Sequence, residues 1–167
     1  VTVFDTGLSA ETGNAYIAME LLRGQTLKEL LREEAPMGPE KLVPIALQIC
    51  KGLQAAHRAQ IIHRDLKPDN IFLEKLSDGK FRVKLVDFGI AAMLDLDRSE
   101  RRQRLGTLRY MSPEQCRGES VDARADLYAL GVVLYEGFTR RRVTGKSIAS
   151  VCEDIPQIPN IFLDEGK

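Results

Sequence analysis

Six apolar residues, Leu42, Ile45, Ala46, Ile49, Leu53 and Ala56, recur at three- and four-residue spacing before Ala59. A stripe of that period lies along one face of an α-helix, so any fold must provide a core against it. Pro44 falls near its start and is expected to delay or kink the first turn. Beyond the helix the period changes. Residues 71–73 and 81–86 are strand-like, with Ser77-Asp78-Gly79 as the turn between them. A second hairpin is expected upstream, from residues 1–4 and 15–20 around Gly7, Gly13 and Asn14. Gly24 then breaks the chain. Thr26 and Glu29 have capping-box spacing and open a short helix over residues 27–32, ended by Pro36, Gly38 and Pro39. Residues 123–138 are apolar enough for a largely buried helix, in which Gly131 is expected to allow close packing. This order predicts an α+β chain, mainly a helical lobe with minor sheets.

Charge excludes some function classes. Lys and Arg number 24 and Asp and Glu number 24, so the net charge is zero. That argues against a strongly basic nucleic-acid binder and against a disordered acidic tail. Cys50, Cys116 and Cys152 are odd in number and lack metal-ligand spacing, which reads as free thiols in a reducing compartment. The longest apolar run, residues 127–135, is too short to cross a bilayer, which takes about 20 residues. With no start Met and no signal-like N-terminus, the expectation is a cytoplasmic piece that begins mid-fold.

Chemistry concentrates in three stretches. His63-Arg64-Asp65-Leu66-Lys67-Pro68-Asp69-Asn70 follows the long helix and precedes a strand. Asp87-Phe88-Gly89 closes the next hairpin, and Ser112-Pro113-Glu114 closes a long loop. In these motifs, their order and their context, the chain resembles the eukaryotic-type protein serine/threonine kinase family. The first two match completely; the third has Ser112 where Ala is usual and reads as a small-residue substitute. Further resemblance lies in Met19-Glu20-Leu21-Leu22 (gatekeeper and hinge), Gly106-Thr107, and Asp126 to Gly131, covering about residues 1–139. The run 106–115 looks much like bacterial members.

The resemblance implies a protein-kinase-like fold, mainly the helical large lobe with the last strands of the small lobe, incomplete at both ends. Residues 1–22 would end the small lobe and form the hinge, 23–139 would carry the catalytic loop and activation segment, and 140–167 match weakly. It implies ATP and Mg²⁺ as cofactors and a protein substrate with a Ser or Thr acceptor. Asp65 would accept or orient the substrate hydroxyl, and Lys67 would reach the γ-phosphate. Asn70 and Asp87 would supply hard oxygen ligands for Mg²⁺. Met19, Glu20, Leu22 and Phe72 would frame the adenine. Lys67 and Thr107 resemble serine/threonine rather than tyrosine kinases. His63 would join a hydrophobic spine with Phe88, anchored by Asp126, rather than carry protons.

Regulation is expected in the segment 87–114. Arg64 resembles the Arg that pairs with an added phosphate, and Ser99 is the only hydroxyl between Gly89 and Gly106. Two readings stay open: Ser99 is phosphorylated and docks on Arg64, or the charged run 98–104 is a solvated loop. The family's glycine-rich loop, strand Lys and helix Glu precede the gatekeeper, and these 167 residues contain none of them. The chain alone is therefore expected to be inactive and marginally stable. An alternative is a pseudokinase-like binding or scaffold module; a weaker one is a small-molecule phosphotransferase. Intact Asp65, Asn70 and Asp87 favour the enzyme.

Overall fold

A computed structural model of the chain describes residues 1–88 and 108–142. Ser99, Thr107, Gly89, Cys152 and the segment 143–167 lie outside the described residues. Strands β1 (Val3–Leu8) and β2 (Ala15–Met19) form an antiparallel hairpin. Strands β3 (Gly24–Thr26), β4 (Ile71–Lys75) and β5 (Phe81–Leu85) form a second antiparallel sheet in the order β3-β4-β5. Its tight turn is made where expected, with Gly79 at φ +79° and the Asp78 carboxylate accepting from the Lys80 N–H at 3.0 Å. The short strand β3 was not legible as one. Gly24 sits there at φ +150°, where a Cβ would lie 2.0 Å from the Leu73 carbonyl oxygen. Only glycine lets the two strands pair.

Helix α1 (Leu27–Glu34) starts at the Thr26–Glu29 capping box and buries Leu27, Leu30 and Leu31. Helix α2 (Pro39–Arg58) buries Leu42, Ile45, Ile49 and Leu53. It begins at Pro39 and runs through Pro44 without a break, so the expected delay of its first turn does not occur. It covers the second sheet, with Gln48 Oε1 accepting from the Val83 N–H at 3.0 Å. Helix α3 (Pro113–Arg117) is short, and α4 (Arg124–Thr139) crosses the core.

Gly131 corrects an expectation. It is exposed, and a Cβ there would meet nothing within 4 Å. The close approach belongs to Gly137, where a Cβ would lie 2.6 Å from Leu42 Cδ2 and whose carbonyl accepts from the Met37 N–H at 2.8 Å. That contact seats α4 against α2. Among the described residues neither Cys50 nor Cys116 is in a disulfide, and no described helix is long and apolar enough to cross a membrane.

Candidate active site

The loop from α2 to β4 is held from below by one carboxylate. Asp126, in the first turn of α4 and 1% exposed, accepts from the His63 N–H and the Arg64 N–H, each at 2.9 Å. Its Oδ2 also lies 2.7 Å from His57 Nε2 on α2. Arg64 has φ +63°, a left-handed conformation that costs a non-glycine residue energy. Bonds on both sides hold it there, since its carbonyl accepts from Gln115 Nε2 of α3 at 2.8 Å. Ser112, fully buried, does more than replace an alanine: its backbone N–H and its hydroxyl sit 3.0 and 3.2 Å from Gln115 Oε1. This cap holds the Gln115 side chain that reaches Arg64.

The clamped loop presents Asp65, which stands at the centre of the site. Its Oδ2 accepts from Lys67 Nζ at 2.7 Å and from Asn70 Nδ2 at 3.1 Å. Asn70 Nδ2 also donates to the Asp65 carbonyl at 2.8 Å. Asn70 thus aims its amide nitrogen at Asp65, leaving Oδ1 as its only side-chain atom able to ligate a cation. The Asn70 carbonyl in turn accepts from the Val86 N–H at 3.0 Å, which brings Asp87 alongside. Asp87 is exposed with φ +56°, a second strained residue at the same place. Asn70 and Asp87 offer oxygen atoms only and few of them, which suits a Mg²⁺ that keeps water and phosphate ligands. Among the described residues no cluster of three or more His, Cys, Asp or Glu could hold a metal by itself.

His63 is fully buried, its ring centroid 4.5 Å from that of Phe88. Neither ring nitrogen has a hydrogen-bond partner among the described residues. Burial holds its pKa below the ordinary histidine value, against the opposing pull of the Asp126 and Asp65 carboxylates. It is a neutral packing group, unsuited to acid–base work. Behind the loop, the Tyr110 hydroxyl donates to Glu136 Oε2 of α4 at 2.7 Å, and burial together with that bond pushes its pKa well up.

Met19 ends β2, and Glu20 and Leu22 follow in the linker between the sheets. Phe72 lies on β4, two residues beyond Asn70 and opposite Lys84 in the register. The structure therefore brings Asp65, Lys67, Asn70 and Asp87 together. It puts Met19 at the end of β2 and Glu20 and Leu22 on the linker after it, tied to β5 by Lys84 Nζ–Glu20 Oε2 at 2.6 Å. Arg64 is exposed at the loop. Sequence reasoning missed His57, Gln115 and Lys84. Each acts across a long sequence separation; only Gln115 carries a local signal, the Ser112–Gln115 capping-box spacing, and that spacing does not point to Arg64.

The protein kinase domain family matches residues 3–165. Among curated proteins, a probable serine/threonine-protein kinase of Corynebacterium efficiens is 44% identical over 146 residues, covering 84% of this chain and 22% of its own length. The serine/threonine-protein kinase PknB of Mycolicibacterium smegmatis is 45% identical over 145 residues, covering 83% and 22%. PknB of Mycobacterium tuberculosis is 44% identical over 158 residues, covering 90% and 24%. The chain thus spans under a quarter of the length of these relatives.

Proposed function

The chain belongs to the protein kinase family, and from that premise we propose that the protein containing it transfers the γ-phosphoryl group of ATP to Ser and Thr hydroxyls of proteins. The observation that carries this reading is the convergence of Lys67 and Asn70 on a single oxygen of Asp65, with Asp87 tied alongside through Val86. Both neighbours use Oδ2, so Oδ1 is left to accept from a substrate hydroxyl and orient it for in-line attack. Lys67 is an ammonium beside the same carboxylate, where charge develops on the transferring phosphoryl oxygens. Mg²⁺, bound with the nucleotide, would be held by Asn70 Oδ1 and the Asp87 carboxylate and would offset charge on the phosphates. Met19, Glu20, Leu22 and Phe72 are assigned to the adenine, and exposed Arg64 to a phosphate added in the segment that follows Asp87. Dependence on ATP assigns the site to the cytoplasm, the compartment that supplies the nucleotide.

The test is Asp65→Asn in the protein that contains this chain. Transfer of labelled γ-phosphate to a protein substrate should fall by about 10²–10⁴-fold in kcat, the range for loss of a positioned acid–base group. A variant that keeps the wild-type rate refutes the assignment. The 167 residues alone, lacking a glycine-rich loop and a strand Lys, are expected to transfer no phosphate.

A further inference from the structure

The β1–β2 hairpin rests on little. Val3, Phe4, Leu8, Tyr16 and Met19 are all exposed, so neither strand buries a face against the core. Among the described residues, two hydrogen bonds run from residues 1–23 to the second sheet. One is the Lys75 N–H donating to the Arg23 carbonyl at 2.9 Å. The other is Lys84 Nζ donating to Glu20 Oε2 at 2.6 Å.

The second bond is part of a knot. Lys84 on β5 also lies 3.2 Å from Glu74 Oε1 of the neighbouring strand, so its ammonium bridges two carboxylates. Glu20 Oε1 accepts from the Thr2 N–H at 2.6 Å, and the Glu20 N–H donates to the Thr2 carbonyl at 3.0 Å. A single carboxylate therefore joins the start of β1 to β5. The side chains of Lys84, Glu20 and Glu74 are 14%, 25% and 18% exposed. Shielding of this degree makes the pair stronger and less salt-sensitive than a free surface pair. The Lys84 bond also holds the Glu20 carboxyl well below the usual carboxylate range, at about 2. Lys84 pairs across the ladder with Phe72, so the two side chains project from the same face of the sheet.

We propose that Lys84 is a positioning residue: its ammonium latches the linker that follows β2 to β5, fixing the pose of the hairpin and of Met19, Glu20 and Leu22 relative to Phe72. The latch itself stands on contacts alone; its consequence for nucleotide binding rests on the kinase reading above. Adenine contacts are remote from the reacting phosphoryl group. Loosening them weakens ground state and transition state alike, which raises KM and leaves kcat in place.

Two measurements test this on Lys84→Met, with Lys84→Arg as the variant that keeps the charge. The first is amide hydrogen exchange in the protein that contains the chain and needs no activity. The Thr2 and Lys75 amides should exchange about fivefold faster in Lys84→Met, as befits loss of one partly shielded ion pair. Amides of α2 should be unchanged, and Lys84→Arg should restore the wild-type rates. Unchanged Thr2 and Lys75 exchange overturns the latch. An equal rise at every amide overturns it too, because the pair would then only add global stability. The second is steady-state kinetics in the protein that contains the chain, where KM for ATP should rise several-fold in Lys84→Met with kcat within twofold. A fall in kcat with KM unchanged overturns the positioning role. If the exchange result holds and no phosphoryl transfer occurs in the wild type, the kinase reading fails and the latch stands.

Discussion

Asp126→Asn changes one atom in the clamp beneath the catalytic loop, and the structure sets the size of the effect. The wild-type carboxylate receives three bonds, from the His63 and Arg64 backbone N–H groups and from His57 Nε2, in a site 1% open to solvent. An asparagine has one acceptor oxygen. If that oxygen keeps Arg64, the amide NH₂ faces the His63 N–H and His57. Hydrogen bonds to a charged group contribute about 1.5–3 kcal/mol, and a buried donor left unpaired costs about 1–3 kcal/mol. A net loss of about 3 kcal/mol is expected, a large share of the ~5–15 kcal/mol typical of a whole domain. Urea melts followed by circular dichroism measure it, with hydrogen exchange at the His63 and Arg64 amides as the local reading. Both amides should lose protection before the rest of the chain. A loss below about 0.5 kcal/mol, the scatter of ordinary surface substitutions, with His63 and Arg64 protection intact, refutes the clamp.

Two glycines on α4 should respond oppositely to alanine. Gly137→Ala drives a methyl to 2.6 Å from Leu42 Cδ2 and should cost about 1–3 kcal/mol in denaturant melts by overpacking. Gly131→Ala meets nothing within 4 Å and should stabilise by up to about 1 kcal/mol through helix propensity. His63 makes stability depend on pH. Its folded pKa is depressed, so the unfolded chain binds more protons as pH falls through about 6.5, and stability falls with it. His63→Phe keeps a ring against Phe88 and removes two unpaired nitrogens. Thermal melts between pH 7.5 and 5.5 should then show a flatter slope than the wild type.

Much of this arrangement was legible because it is local. The α2 stripe announces its face by its period, and the Thr26–Glu29 box announces the start of α1. The kinase motifs mark Asp65, Lys67, Asn70 and Asp87 because they lie on two short segments that a single hairpin brings together. The glycines of α4 were not distinguishable in sequence. That helix is apolar nearly all round, so nothing in it says which glycine meets α2 and which meets solvent. His57, Lys84 and Gln115 were hidden for a different reason. They find their partners 69, 64 and 51 residues away, where only the folded chain can bring them.

Those separations set an order of events. The groups that hold the Asp65 loop in its strained shape come from α3 and α4, and Asp126 binds His63 and Arg64 across 63 and 62 residues. Closing so long a loop costs entropy before the contact returns anything. A chain emerging from the ribosome displays the residues of the catalytic loop well before it displays Asp126. Until that carboxylate arrives, the His63 and Arg64 N–H groups lack their shared partner, and only Gln115 is available to hold Arg64 in its left-handed conformation. The fixed shape of the Asp65 loop is therefore acquired only once α4 has been made, and a nascent chain stalled short of α4 carries the motif without the clamp that shapes it.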